Sequence, residues 1–156
     1  MYSTDTLIIG AGQAGLAASV HLQSAGIDHV VLERGRIGER WRRQSWPSLT
    51  LLTPNWMNAL AGAPALADAD GFAPARAMAE ALRGQAASTQ APVHESADVL
   101  SLSRACGAFR AQTSAGSWRA RTVVIATGAC DLPRTPAWAT DLSPELLQLT
   151  PDRYRG

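Results

Sequence analysis

The apolar pattern begins at Thr6-Leu7-Ile8-Ile9, a nearly unbroken hydrophobic run that stops at a glycine. Such a run predicts a strand buried on both faces, as in a parallel sheet. From residue 13 to 25 the period changes: Ala14, Leu16, Ala17, Val20, Leu22 and Ala25 give one apolar face of a helix. Gly26 stands where a left-handed helix stop belongs. His29-Val30-Val31-Leu32-Glu33 then reads as a second strand. The first 33 residues therefore predict a β-α-β unit, which crosses over right-handed.

Residues 35–73 carry no strong period and are rich in Arg, Trp, Pro and Gly, with a short extended piece expected at 49–53 and a turn of helix near 55–60. A stretch of that length without regular structure is usually functional. Pro74 opens a predicted second helix over 74–87, Pro being tolerated in a first turn. Residues 92–95 predict a third parallel strand. Three short runs follow, 97–104, 108–113 and 117–120, divided by Cys106-Gly107 and Ala115-Gly116. Short strands separated by glycine turns predict an antiparallel meander. Thr122-Val123-Val124-Ile125-Ala126 is again fully apolar, and the prolines beyond it (Pro133, Pro136, Pro144, Pro151) mark an irregular exit over 129–156.

Composition changes this picture little. With 46% hydrophobic and 17% charged residues, 156 positions suffice for one ordinary globular domain. A formal net charge of +1 calls for neither nucleic acid nor an anionic membrane surface. All basic residues are Arg, which reads as genome composition. Cys106 and Cys130 form no C-x-x-C, so a redox-active dithiol is not supported. His21, His29 and His94 are scattered without metal-ligand spacing, and no metal site is expected. The start at Met1 has no basic n-region or cleavage site, and no apolar run reaches membrane length. A cytoplasmic location is the resulting expectation.

The chemistry is concentrated at Gly10-Ala11-Gly12-Gln13-Ala14-Gly15, a G-x-G-x-x-G set between strand and helix. The first glycine permits the tight turn, the second lets backbone approach a pyrophosphate, and the third lets the helix pack against the strand. The phosphates would rest on the orphan N–H groups and positive dipole end of the helix. Glu33, at the end of the next strand, is the expected reader of a ribose, and its charge would repel a 2′-phosphate. Arg34 is placed to lie against the adenine or its phosphate, with a solvated loop arginine as the alternative. The fold class is therefore α/β: a Rossmann-like dinucleotide-binding domain, a parallel sheet with a three-stranded antiparallel β-meander.

Four segments in this order resemble the N-terminal FAD domain of flavin-containing monooxygenase-like oxidoreductases. They are the glycine turn with Glu33; Ile37-Gly38-Glu39-Arg40-Trp41; Ser48-Leu49-Thr50-Leu51-Leu52-Thr53-Pro54; and Val123-Val124-Ile125-Ala126-Thr127-Gly128 followed by Pro133 and Pro136. Asp68-Ala69-Asp70-Gly71-Phe72 is similar as well. The resemblance implies FAD as cofactor, with Gly10, Gly12, Gln13, Ala14, Gly15, Glu33 and Arg34 on its dinucleotide half. It implies Arg40, Trp41, Leu52 and Thr53 near the flavin, with residues 35–73 as a flavin-side excursion. Val99 matches a position whose backbone reads the adenine, and Ala126, Thr127 and Gly128 match the turn that passes the cofactor. A core tryptophan at Trp41 and a plain tight turn at 126–128 are the rival readings.

Two residues depart from the resemblance. Leu52 stands where the monooxygenases carry Asn, and Thr150 precedes Tyr154 where the longer signature has His. Both count against oxygenation, the second against a Baeyer–Villiger reaction. Family members continue into an NADPH domain with its own G-x-G-x-x-G, so residues 1–156 are expected to be an incomplete FAD-binding domain. A missing domain or complementing chain is the expected partner, with a small-molecule substrate. No catalytic acid, base or nucleophile is identifiable. The leading expectation is an FAD-dependent oxidoreductase, with NADPH as co-substrate only in a complete form. The alternative is a non-catalytic dinucleotide-binding remnant or one part of a split flavoenzyme. An NAD-dependent dehydrogenase is disfavoured because the meander breaks the parallel alternation.

Overall fold

The computed structural model describes residues 1–129 and 131–155. Its strands are β1 (Tyr2–Ile9), β2 (His29–Leu32), β3 (Val93–His94), β4 (Val99–Ala105), β5 (Ala108–Thr113) and β6 (Gly116–Ile125). The helices are α1 (Gln13–Ser24), α2 (Glu39–Arg43) and α3 (Ala75–Ser88). All six strands form one sheet in the order β3-β2-β1-β6-β5-β4. The first four are mutually parallel, and β6, β5 and β4 are antiparallel. The Rossmann-like class with its meander is what the periodicity predicted.

The alternation of β1 and β2 divides the core. Ile8 and Val31 face the helices, where they join Leu16, Met78, Leu82 and Ala86. Leu7, Val30 and Leu32 face the other way and pack with Ala111, Trp118 and Ala120 of the meander. The sheet must therefore curl strongly. His94 of β3 meets Trp118 of β6 edge-on with ring centroids 5.2 Å apart. In a flat sheet the two intervening strands alone would set them about 14 Å apart across the sheet, before any offset along the strands.

Some boundaries differ from the expectation. The runs at 117–120 and 122–126 are one strand, β6. No glycine or proline separates Ala120 from Thr122, and the meander half continues directly into the parallel half, pairing with β1 from Tyr2↔Trp118 to Ile9↔Ile125. The piece at 49–53 is only an isolated bridge, Thr50↔Pro74, with Leu51 N–H donating to the Ala73 carbonyl (2.8 Å). Helix α2 was not expected from periodicity. It is a single turn held by charge: Glu39 takes the Nε of Arg36 (3.1 Å) and of Arg43 (3.0 Å). The turn near 55–60 is a 3-10 helix at Asn55–Asn58, and a second one, not expected, lies at Ala137–Asp141.

One polar pair is sealed between α1 and β2. Ser19, fully buried, lies 2.8 Å from Nε2 of His29, whose Nδ1 lies 3.0 Å from the Ile27 carbonyl. A neutral ring with Nδ1 facing a carbonyl carries its proton there, so Nε2 accepts from the Ser19 hydroxyl. Ser19→Ala leaves Nε2 without a donor in the core, an expected loss of about 1–3 kcal/mol, checked by urea unfolding. Among the described residues no helix is long and apolar enough to cross a membrane.

Candidate dinucleotide-binding site

The three fingerprint glycines have three different surroundings. Gly10 has φ +107°, and a Cβ there would lie 2.5 Å from the Ala126 carbonyl oxygen. The turn thus needs glycine both for its backbone conformation and for contact with the exit of β6. A Cβ on Gly15 would lie 1.9 Å from the Gly10 carbonyl oxygen and 3.4 Å from Cγ2 of Ile8, so α1 sits directly against β1. Gly12 is the opposite case: a Cβ there meets no protein atom within 4 Å. Gly12 is also the N-cap of α1 and gives no side-chain cap, and Gln13 and Ala14 in the first turn are exposed. The first-turn N–H groups lack intrahelical acceptors and face a cradle that only a missing side chain keeps open.

Glu33 is drawn onto this turn. Its Oε2 accepts the Ala11 N–H (2.8 Å) and its Oε1 accepts the Gly35 N–H (2.9 Å). Gly10 N–H donates to the Leu32 carbonyl (2.8 Å), locking the glycine turn to the end of β2. An ionised carboxylate offers about four lone-pair positions. Two are used here, and one remains on each oxygen for a ligand hydroxyl. Glu33→Ala strips the acceptor from the buried Ala11 N–H, an expected stability loss of about 1–3 kcal/mol. Glu33→Gln, which retains one acceptor oxygen, should lose less, and paired thermal melts distinguish the two.

The opposite lip comes from β6. Ala126 N–H donates to the Ile9 carbonyl (2.8 Å), after which Thr127 is exposed and Gly128 adopts φ +79°. Helix α2 closes on the same point: Gly38 N–H reaches the Ala11 carbonyl (3.4 Å), and Arg40 Nη1 lies 3.7 Å from where a Gly128 Cβ would be. Arg34 forks onto the Asp131 carboxylate, with Nη1 to Oδ2 at 2.8 Å and Nη2 to Oδ1 as the second arm. That bond holds the Asp131 carboxyl below its ordinary value against the opposing effect of burial, with the Arg40 charge and Gln44 adding to it. Because the folded value is lowered, the pair's contribution is complete above the ordinary carboxylate value. It fades as pH falls through the lowered one.

The remaining expected residues are tied to other parts of the fold, and no contact joins Leu52, Thr53 or Val99 to the glycine turn among the described residues. Trp41 is half-buried against the helix-side core, so its ring also serves packing. Leu52 projects outward at 92% exposure, while its neighbour Leu51 is buried. Thr53 donates its hydroxyl to Asn58 (3.0 Å). Beside Glu33, Ala97 N–H donates to the Glu33 carbonyl (2.8 Å) and Ser96 N–H to that of Gly35 (3.0 Å). Val99 follows immediately and packs against the meander-side core. Sequence reading missed Gly35, Gln44 and Asp131. Asp131 lies 97 positions from Arg34, and no local spacing announces such a pair. Cys106 is a free, exposed thiol in the β4–β5 turn, far along the chain from this turn, and Cys130 falls outside the described residues. No cluster of potential metal ligands exists among the described residues.

Parallel strands, a glycine turn at the switch between β2 and β6, and an acid at the end of β2 define a Rossmann-type dinucleotide-binding domain. The pyridine nucleotide-disulphide oxidoreductase family matches residues 7–143, and the chain belongs to it. An uncharacterised CzcO-like oxidoreductase of Geobacillus kaustophilus is 34% identical over 96% of this chain and 43% of its own length. Among solved structures, a flavin-containing monooxygenase from Stenotrophomonas maltophilia is 28% identical, with TM-score 0.77 over 87% of this chain and 42% of that one. The bacillithiol disulfide reductase of Staphylococcus aureus shares the fold, with TM-score 0.79 and 21% identity over 86% of this chain and 41% of that one. The chain thus resembles the N-terminal part of monooxygenase-like flavin oxidoreductases and spans less than half the length of these relatives.

Proposed function

We propose that this chain binds FAD and serves as the cofactor-binding portion of a flavin-dependent oxidoreductase. The observation that carries the reading is the pairing of an open position at Gly12 with Glu33 fixed beside the same turn. The diphosphate lies over Gly12, Gln13 and Ala14, and the free lone pairs of Glu33 take the ribose hydroxyls. Gly10 and Gly15 shape the turn. Arg34 and the backbone near Val99 flank the adenine end. Arg40, Trp41, Leu52, Thr53 and the Ala126-Thr127-Gly128 turn line the flavin end, an aromatic and small uncharged groups suiting an apolar ring. The negative charge of Glu33 favours FAD over a 2′-phosphorylated dinucleotide here.

Bound flavin supplies electron and hydride transfer; the protein's own contribution is to hold and orient it and to limit water. In the whole protein we place the activity with monooxygenases, NADPH reducing the flavin and a small organic molecule being oxygenated. The 28% identity to the Stenotrophomonas enzyme, against 21% to the bacillithiol disulfide reductase, supports this over disulfide reduction. The decisive experiment is to purify the chain, record its visible absorbance and determine the mass of any released cofactor. A yellow protein releasing FAD supports the assignment; a colourless protein that ignores added FAD overturns it.

A further inference from the structure

The two lips of the crevice are joined by an ion pair. Arg34 lies just beyond β2 and Asp131 just beyond β6, and β1 runs between those two strands. A bond between their side chains therefore links segments that leave the sheet on either side of β1, whose carboxyl end carries the glycine turn. The fork is two-pronged, which fixes its geometry, but the side chains remain 59% and 37% exposed. Exposed pairs of this kind contribute little to stability and exchange partners readily. Asp131 also shares a cavity of about 200 Å³ with Arg40 of α2 and Gln44, which follows that helix. One carboxylate thus pairs with Arg34 and feels the charge of Arg40.

The geometry points to Asp131 as an internal anion strapping the crevice: it occupies Arg34 until the phosphates of an incoming dinucleotide take that guanidinium over. Its charge opposes the approach of a diphosphate to this end of the sheet, and Arg34 is withheld from that diphosphate while the pair holds. Asp131 would then set the affinity and its dependence on salt, without itself contacting the cofactor productively. This rests on the cofactor site proposed above.

The test titrates FAD, and separately inorganic pyrophosphate, into the parent chain, Asp131→Asn, Arg34→Met and Gly12→Val, at low and high salt. Asp131→Asn should bind both ligands about three- to tenfold more tightly than the parent at low salt, an advantage that shrinks as salt screens the charges. Arg34→Met should bind more weakly. In the parent, hydrogen exchange over residues 131–134 should quicken when ligand is added, since the strap is released. Equal or weaker binding by Asp131→Asn, with binding still lost in Gly12→Val, overturns the strap and leaves the cofactor site standing. Indifference of all four proteins to both ligands overturns both. Ligand binding by Asp131→Asn alone would support the strap strongly.

Discussion

Gly12→Val should give a folded protein that no longer binds FAD. The usual difficulty with such variants is that loss of ligand and loss of fold look alike, and here the geometry separates them. A Cβ at this position meets no atom within 4 Å beyond the adjoining residues, so the substitution begins in open space rather than against the core. The backbone at Gly12 is extended, φ −88° and ψ −169°, a conformation valine adopts freely. The cost to folding is that of a poor N-cap, about 1 kcal/mol. The cost to binding is much larger, because the isopropyl group would stand where a diphosphate must meet the first-turn N–H groups. An affinity loss of about 100-fold or more, roughly 2.7 kcal/mol or beyond, is expected. Flavin fluorescence titration beside a thermal melt reads both quantities. Parent-like affinity in a folded Gly12→Val protein would show that no diphosphate lies there.

The contrast between elements read correctly from sequence and those missed has a physical origin. The β1-α1-β2 unit was legible because its period changes cleanly and its glycines stand at the junctions; burial on both faces leaves Leu7-Ile8 and Val30-Val31-Leu32 no other reading. Glu33 was legible because its position follows from that unit. Its grip on Ala11 and Gly35 was not, since hydrogen bonds to backbone leave no mark in composition. Helix α2 escaped because a five-residue turn has no period to detect and is held by Arg36, Glu39 and Arg43. The long β6 reads as two runs because its first part, paired with β5, and its last part, paired with β1 alone, carry different burial patterns. Trp118 and Ala120 alternate inward, whereas Thr122 to Ile125 read as continuous apolar sequence. Asp131 was invisible for a topological reason: only the sheet order brings the ends of β2 and β6 to either side of β1.

Gly15→Ala, by contrast, should damage the fold itself. On helix propensity alone the change is favourable, alanine being better than glycine by about 1 kcal/mol. The surroundings reverse the sign. The new methyl would lie 1.9 Å from the Gly10 carbonyl oxygen and 3.0 Å from its carbon, backbone atoms that no rotamer change can move. Relief requires α1 to lift from β1, which opens the contact between Leu16 and Ile8 and strains the bond from Gly10 N–H to the Leu32 carbonyl. Overpacking typically costs about 1–3 kcal/mol, and a backbone clash this close belongs at or above the top of that range. Against a domain stability of about 5–15 kcal/mol, a large drop in the urea midpoint follows. Gly84→Ala in α3 is the internal control, since a Cβ there meets nothing within 4 Å and should add up to about 1 kcal/mol. If Gly15→Ala were as stable as Gly84→Ala, the close seating of α1 on β1 would be wrong, and the position of the first-turn N–H groups with it.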